Sequence, residues 1–279
     1  GAGFAIAELL ITPRALGESI LSAGEKRSGC ALVDLGADTT TISVYSNNML
    51  RKLVVVPLGA NNVTMDIANC LNTEMDEAEA LKLKYGRAWL ENYDTAQNNI
   101  LQLSRGRESS ESLLCEIIEA RYEEILQNVW AQIENESDKL TSGIVFTGGG
   151  AQIRFLCEAF LQITKRNKQV RLVKGLPADI SAVAGVYLPD NGRINSILSL
   201  LLHGDQNCII PKAEQDSTTI TDTTATTEQD TELQDTDAND QDANTQEVAG
   251  TEKKNENETK KKRRSFWQII GDALTDEED

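Results

Sequence analysis

Several groups with phosphate-binding chemistry stand close together in the segment GCALVDLGADTTTISVY, residues 29–45. The carboxylate of Asp34 can hold a water molecule bound to Mg2+, and glycine at position 36 lets backbone amides approach an anion closely. The hydroxyls of Thr39 and Thr40 can donate hydrogen bonds to phosphate oxygens. The segment therefore indicates a phosphate site, and the alternative is an ordinary β-hairpin with a polar turn.

The same segment predicts the elements that would position these groups. The apolar run from Cys30 to Val33 is typical of a short strand, and residues 34–38 predict a turn. The alternating, β-branched run from Thr39 to Tyr45 predicts a second strand. We expect Asp34 to lie at the tip of this hairpin and to point outward.

Two later segments supply further groups of this kind. The segment GIVFTGGGAQI, residues 143–153, predicts a buried strand, three glycines at 148–150 and the start of a helix, whose free amides favour negative charge. Such glycines would admit a flat ligand against bare backbone. The segment DEAEALKLKYG, residues 76–86, predicts a helix with Glu79 and Lys82 on one face, either as ligand groups or as a solvated ion pair.

The remaining pattern predicts an α/β core with a mixed sheet and an insertion between its halves. A long helix predicted for 109–140 has a wide apolar face, which is typical of core packing. The other predicted elements are strands at 50–58, 144–146 and 170–173, helices at 61–70 and 152–163, and a strand-like segment at 92–103.

The order of the motifs, phosphate hairpin, Glu-x-x-Lys helix and triple glycine, resembles the second half of the actin, hexokinase and chaperone-ATPase superfamily. Within it the chain resembles the FtsA family of bacterial cell-division proteins. Four segments carry this resemblance: VDLGADTTTISVY, AEALKLKYG, EIIEARYEEIL and GIVFTGGGAQIRFL. The resemblance extends from residue 1 to about residue 204.

The resemblance implies a site for ATP and Mg2+, with Asp34 holding the metal through water. The matching residues are Asp34, Gly36 and Thr39 in the second phosphate loop, Glu79 and Lys82 on the ribose and base side, and Gly148, Gly149 and Gly150 in the adenosine loop.

The phosphate loop departs from the family at two positions. Relatives usually have three glycines and a threonine where this chain has Gly36, Ala37, Asp38 and Thr39. The carboxylate of Asp38 would repel the terminal phosphates unless a cation intervenes. We therefore expect ATP binding with at most slow hydrolysis, and we assign no catalytic residue.

The resemblance also implies a domain organisation. The chain starts at Gly1 without the first phosphate loop of the superfamily, so we expect a fragment that is inactive alone. The implied parts are the end of a preceding subdomain at 1–24, the second large actin-like subdomain at 25–72 and 142–207, an inserted α+β subdomain at 73–141, an acidic linker at 208–259 and an amphipathic helix at 260–279.

In the family the inserted subdomain receives the C-terminal peptide of the tubulin-like protein FtsZ. Arg105, Arg107 and Arg121 are therefore candidate contacts for an acidic peptide, and the alternative is that they are solvated surface charges.

The C-terminal part has a different composition. Residues 211–259 hold 14 acidic and three basic side chains and almost no aliphatic ones, which predicts a disordered tether. A basic cluster and a short aromatic amphipathic helix follow, which is typical of a membrane-surface anchor, and the alternative is docking on protein. The residues expected at an anionic membrane are Lys260, Lys261, Lys262, Arg263, Arg264, Phe266, Trp267, Ile270 and Leu274.

Composition narrows the class of protein. The net charge of −17 comes mostly from the tether, and a body without a basic face argues against nucleic acid as a partner. Five widely spaced cysteines are typical of reduced thiols in a cytoplasm and do not have zinc-site spacing. The single histidine, His203, ends a leucine-rich helix, where a cation is favoured. No run reaches the ~18 apolar residues that span a bilayer.

Together these features imply an actin-like division protein. It would bind ATP, assemble with itself, and tether the FtsZ ring to the inner face of the membrane at the division site. The alternatives are a sugar or acetate kinase of the same superfamily, and another actin-like scaffold of the shape-determining or pilus-assembly type. A kinase has no need of a tether that ends in a basic amphipathic helix, which disfavours the first alternative.

Overall fold

The structure is a computed structural model, and it describes residues 9–90, 99–165, 168–176, 187–189 and 191–204. All of these residues belong to one compact unit. The predicted tether, 208–259, and the predicted membrane anchor, 260–279, lie outside the described residues.

The described residues form strands and helices in alternating groups. The strands are β1 Cys30–Leu35, β2 Thr40–Ser46, β3 Met49–Val56, β4 Ile100–Gln102, β5 Glu108–Ser110, β6 Ile144–Thr147 and β7 Val170–Leu172. The α-helices are α1 Thr12–Ile20, α2 Ala23–Ser28, α3 Ala60–Cys70, α4 Met75–Tyr85, α5 Glu111–Ile133, α6 Leu156–Thr164 and α7 Asn195–Leu202. None of the helices in the described part of the chain combines the length and the apolarity that crossing a membrane requires.

The main sheet has five strands in the order β3-β2-β1-β6-β7. Strands β1, β2 and β3 are antiparallel neighbours, whereas β6 runs parallel to both β1 and β7. The mixed sheet predicted from the sequence is thus confirmed. Because β1 and β6 are parallel, their carboxyl ends lie side by side, with Asp34 opposite Thr147.

The two faces of β1 pack into different clusters because successive side chains of a strand point to opposite sides. Ala31, Val33 and Leu35 lie in the larger core with residues of α3 and α5. Cys30 and Leu32 lie in a smaller core with residues of α1. The strand alternation therefore places Asp34, two residues after Leu32, on the α1 side of the sheet.

Three predicted elements differ from the structure. Asp34 was expected in a turn, but it pairs with both neighbouring strands and belongs to β1. The long helix ends at Ile133 and continues as a 3-10 turn, Glu134–Lys139, whose polar residues favour helix ends. The helix after the triple glycine begins only at Leu156, because Phe155 has a left-handed backbone with φ 62°. The predicted strand-like segment 92–103 is described only from residue 99 onwards, and that part contains β4.

The predicted insertion contributes α4, α5 and the two-stranded β4–β5 sheet. Helix α5 packs on the main sheet, since Ile118 and Ile125 belong to the same hydrophobic cluster as Phe146 of β6. The ring of Phe146 also meets that of Phe160 edge-on at 5.2 Å between centroids. A continuous hydrophobic core thus joins α5 to the strands that end at the candidate site, and the domain boundaries remain a prediction.

Candidate functional site

The loop between β1 and β2 is held in a tight turn. The amide of Gly36 donates to the carbonyl oxygen of Thr39 (2.9 Å), and a Cβ at position 36 would lie 2.9 Å from the same oxygen. The first turn of α3 closes on this loop, because the amides of Ala60 and Asn61 donate to the carbonyls of Gly36 (3.0 Å) and Ala37 (2.7 Å). The loop conformation is therefore fixed by the protein itself.

Asp34 lies at the foot of this loop. Its Oδ2 accepts a hydrogen bond from Oγ of Ser196 (3.0 Å), while burial raises the pKa of its carboxyl despite that bond. A cation beside Asp34 would favour its charged form. The carboxylate also faces a cavity of about 170 Å3, whose other lining residues are Thr12, Pro13, Leu16, Leu32, Thr41 and Ser43.

The two threonines of the loop have different surroundings. Thr39 is exposed, but Thr40 is fully buried and donates its hydroxyl to the carbonyl of Leu58 (2.7 Å). The structure therefore does not direct Thr40 at a phosphate, because its only hydroxyl hydrogen is used inside the protein. The exposed carboxylate of Asp38 accepts a hydrogen bond from Nδ2 of Asn61 (2.8 Å), which leaves its negative charge beside the loop.

The Glu-x-x-Lys pair lies on α4 and is partly inside the protein. The Lys82 side chain is 6% exposed, and its Nζ lies 2.5 Å from Oε2 of Glu79. Nζ also donates to the carbonyl of Ala60 (3.0 Å) and the hydroxyl of Thr64 (2.8 Å), and that hydroxyl donates to Glu79 (2.6 Å). The alternative of a solvated ion pair is therefore wrong.

This network assigns different parts to the two residues. Burial opposes the ionisation of Glu79, but hydrogen bonds from Lys82 and Thr64 keep its pKa below the usual range. Lys82 has used its three donors inside the protein. Glu79 is 42% exposed and charged, so it is the member of the pair that can reach a ligand.

Two of the three glycines after β6, Gly148 and Gly150, are required by packing. A Cβ at Gly148 would lie 2.4 Å from the carbonyl oxygen of Leu35, and a Cβ at Gly150 would lie 2.1 Å from Cδ2 of the same leucine. A Cβ at Gly149 would meet Cγ of Arg193 at 3.0 Å. The expectation that these glycines leave bare backbone for a flat ligand is therefore incomplete, since protein atoms occupy part of the space beside them.

The triple-glycine loop is also anchored from α5. The buried hydroxyl of Tyr122 donates to the carbonyl of Gly150 (2.8 Å). Burial raises the pKa of Tyr122, and the carboxylate of Glu79 raises it further. The phenol therefore stays protonated and remains a donor at ordinary pH.

Three motifs that are far apart in the sequence meet at Ala60, the first residue of α3. The amide of Ala60 donates to the carbonyl of Gly36, and its own carbonyl accepts from Lys82, both at 3.0 Å. Its Cβ lies 3.1 Å from the position that a Cβ would take at Gly150. The structure thus brings together the phosphate hairpin, the Glu-x-x-Lys helix and the triple glycine, as their resemblance to one site requires.

Sequence reasoning missed Tyr122 and the turn before α7. Nδ2 of Asn195 donates to Oγ1 of Thr147 (3.0 Å), so this turn contacts the end of β6. The Asn-Gly pair that ends at Gly192, where φ is 74°, was the available signal for a turn. Tyr122 had no such signal, because a buried tyrosine on a helix is ordinarily a packing residue.

Two of the three candidate partner-binding arginines lie together beyond the end of α3. Arg105 is exposed and pairs with the exposed Glu74 at 3.1 Å. Arg107 donates to the carbonyl of Leu71 (3.0 Å). Both guanidinium groups thus border the turn between α3 and α4.

Arg121 lies on α5, and its side chain is 14% exposed. Its Nε and Nη2 donate to the two oxygens of Asp66 at 2.5 and 2.9 Å, and its Nη1 donates to Glu124 at 2.5 Å. Arg121 is therefore not a solvated surface charge. A peptide that binds it would share it with Asp66 or displace that carboxylate.

The described residues contain no group of three or more His, Cys, Asp or Glu side chains that could hold a metal ion by themselves. Mg2+ beside a nucleotide is commonly bound by one or two carboxylates, waters and phosphate oxygens. Asp34 is the carboxylate at the candidate phosphate loop that fits this mode.

Comparison with known proteins identifies the family. The family model described as cell division protein FtsA matches residues 31–186, which is more than half of the chain. The chain belongs to the FtsA family. It is 37% identical to the FtsA of Enterococcus faecalis over 171 residues and 34% identical to that of Bacillus subtilis over 176 residues.

The matched regions cover 60% and 61% of this chain but only 39% of either relative. The FtsA of Pseudomonas aeruginosa is 31% identical over 73% of this chain and 49% of its own length. The chain therefore spans less than half the length of these FtsA relatives.

Solved structures confirm the actin-like α/β fold expected from the sequence. MreB5 of Spiroplasma citri bound to ADP matches with a TM-score of 0.52 and 16% identity, over 68% of this chain and 57% of its own. A type IV pilus biogenesis complex, PilM-PilN, matches with a TM-score of 0.53 and 18% identity, over 74% of this chain and 55% of the other. At these identities the likeness concerns the fold alone.

Proposed function

We propose that this FtsA-family chain forms one side of an ATP site in a division protein that assembles at the inner membrane and holds the FtsZ ring there. The convergence of three sequence motifs at Ala60 carries the proposal. Solved MreB5 structures that share the fold contain ADP and AMPPNP, which supports an adenine nucleotide as the ligand.

The residues have separate roles in this proposal. The amides of the turn at Gly36 and the hydroxyl of Thr39 bind phosphate, and Asp34 holds Mg2+ through water. Glu79, kept ionised by Lys82, accepts hydrogen bonds from the ribose hydroxyls. The triple-glycine loop borders the adenosine. The charge of Asp38 beside the terminal phosphates keeps hydrolysis slow.

The partners in this proposal follow the resemblance to the family. The acidic C-terminal peptide of FtsZ binds beside Arg105, Arg107 and Arg121, and the amphipathic segment 260–279 binds the membrane. Self-assembly adds many weak anchors together, which strengthens membrane attachment through multivalency.

The test uses the full-length protein and Gly149→Val. A Cβ at position 149 would lie 3.0 Å from Cγ of Arg193, and the two methyl groups of valine would add further bulk beside the triple-glycine loop. Calorimetry with ATP and Mg2+ should give measurable affinity for the wild type and a loss of about tenfold or more for the variant, or over 1.4 kcal/mol.

Gly24→Val is the matched control, because a Cβ at Gly24 would meet only Oγ of Ser22 at 3.8 Å. The control should bind ATP like the wild type. A wild type without ATP affinity, or a Gly149→Val variant with full affinity, would contradict the proposed site.

A further inference from the structure

The turn before α7 forms a third wall of the candidate site. Its Gly192 packs so closely that a Cβ there would lie 3.1 Å from the carbonyl oxygen of Gly148. Ser196, four residues later, donates to Asp34 at 3.0 Å. Residues between these two contacts must therefore border the space between the glycine loop and the phosphate loop.

Arg193 is the charged residue in this turn. Its Cγ and Cα would lie 3.0 and 3.8 Å from a Cβ at Gly149, so the aliphatic stem of Arg193 covers that glycine. The positive charge of Arg193 also helps to lower the pKa of the Glu79 carboxyl. The amide of Arg193 donates to Oδ1 of Asn191 (3.2 Å), which fixes the start of the turn.

The guanidinium of Arg193 is available to a ligand. The residue is exposed, and within the described ranges its side chain forms no hydrogen bond or ion pair, in contrast to Arg121 with its two carboxylate partners. Lys82, the other cation near Glu79, has its donors occupied. Arg193 is thus the cation at this end of the site that a ligand can engage.

We propose that Arg193 stacks its guanidinium on the base of the bound nucleotide and so favours a purine. A planar guanidinium stacks on aromatic faces, and its stem on Gly149 would hold it at a fixed height. Its packing on Gly149, in the loop proposed to border the adenosine, places Arg193 at the nucleoside end of the site. The proposal rests on the proposed ATP site and adds its base contact.

Binding of AMP, ADP and ATP, each with Mg2+, to the full-length protein separates a base contact from a phosphate contact. Stacking predicts that Arg193→Ala weakens the binding of all three nucleotides by the same factor, about 5- to 30-fold. Arg193→Lys keeps the positive charge but lacks the planar guanidinium group, and it should recover only part of the affinity. The affinity for CTP should fall less in Arg193→Ala than the affinity for ATP, because a pyrimidine offers a smaller face for stacking.

Arg51→Ala is the control, since Arg51 is an exposed arginine on β3, away from the site. It should bind all nucleotides like the wild type. A loss that grows from AMP to ATP, or full recovery by Arg193→Lys, would show a phosphate or purely electrostatic contact and overturn the stacking. Unchanged affinity in Arg193→Ala would also overturn it while leaving the ATP site intact, whereas a wild type that binds no nucleotide would overturn both.

Discussion

Thr39 and Thr40 are neighbours of the same chemical type, and one backbone position decides what each can do. Thr40 begins β2 and donates its buried hydroxyl to Leu58, whereas Thr39 remains at the exposed loop. Thr40→Val should therefore leave the carbonyl of Leu58 without its donor and lower the free energy of unfolding by about 1–3 kcal/mol. Urea denaturation of the 279-residue chain measures this.

The companion variant Thr39→Val should leave the stability within about 0.5 kcal/mol of the wild type, since it changes an exposed side chain. In the full-length protein, Thr39→Val should weaken ATP binding, and Thr40→Val should leave it unchanged. If Thr40→Val proved to be the variant with reduced affinity for ATP, the assignment of the Thr40 hydroxyl to the core would be wrong.

Residue types and spacing in the sequence could mark Asp34, Gly36 and the glycine loop as candidates, but they placed Asp34 in a turn and not in β1. They could not separate Thr39 from Thr40, because a shift of one residue in the start of a strand exchanges the two faces. They also could not show that Lys82 is buried, since the residues that receive its donors lie on another helix.

Among the elements, an apolar run was enough to find β1, an alternating β-branched run was enough to find β2, and apolar spacing was enough to find α5. The parallel pairing of β1 with β6 could not be derived from local pattern, because more than 100 residues separate the strands in the chain. That pairing is what brings Asp34 beside the glycine loop.

Helices α1 and α7 are joined by an ion pair that should respond to pH. Nε2 of His203 lies 2.7 Å from Oε2 of Glu18, and Nδ1 donates to the carbonyl of Ser199 (2.7 Å). The pKa of His203 is raised mainly by its hydrogen bond to Ser199 and, to a smaller extent, by Glu18. The pKa of Glu18 is lowered mainly by its hydrogen bond to His203 and, to a smaller extent, by Arg14. The role predicted for His203, a cation at a helix end, agrees with this geometry.

The sign of the pH dependence follows from these directions. The contribution of His203 is complete below its unfolded pKa of about 6.5 and is lost as the pH rises through the higher folded value. That of Glu18 is present above its unfolded pKa of about 4.3 and is lost as the pH falls through the lower folded value. The pair therefore stabilises the α1–α7 contact between these two folded values.

Glu18→Gln should consequently lower the pKa of His203, which NMR can follow through the single histidine of this chain. Glu123→Gln is a control, because Glu123 lies on α5 and bonds to Gln127. An unchanged pKa of His203 in Glu18→Gln would mean that the ion pair does not form in solution.

The end of α3 and the start of α5 should form the peptide surface. Arg105 and Arg107 are the accessible members, so Arg105→Ala with Arg107→Ala should weaken a labelled acidic FtsZ tail peptide about 3- to 10-fold at low salt and less at high salt. Fluorescence anisotropy measures this, with Arg51→Ala as the control. Arg121 is left in place because its removal would strand Asp66.

Failure of the peptide to bind at low salt, or equal binding by the double variant, would remove this surface from the proposal. Salt-independent weakening would also count against it, because it would point to a change of structure instead of a loss of long-range attraction.

In the whole molecule, the residues proposed to bind nucleotide and peptide lie in the described part of the chain, whereas the membrane contact is assigned to 260–279 by sequence pattern alone. Five clustered cations contribute on the order of 1 kcal/mol each near an anionic surface. The apolar stripe adds roughly 25 cal/mol for each Å2 that it buries. The four acidic residues at the C-terminal end oppose both terms.

One anchor should therefore bind the membrane only marginally, and a row of linked anchors should bind it tightly. Trp267→Glu places a charge on the apolar stripe and should release the protein from anionic vesicles, whereas Gln268→Glu adds the same charge on the polar face and should change binding little. Co-sedimentation of the full-length protein with liposomes measures both. Because the two variants have equal net charge, equal release by both would mean that electrostatic attraction alone holds the protein, and retention of Trp267→Glu would mean that the stripe does not enter the membrane.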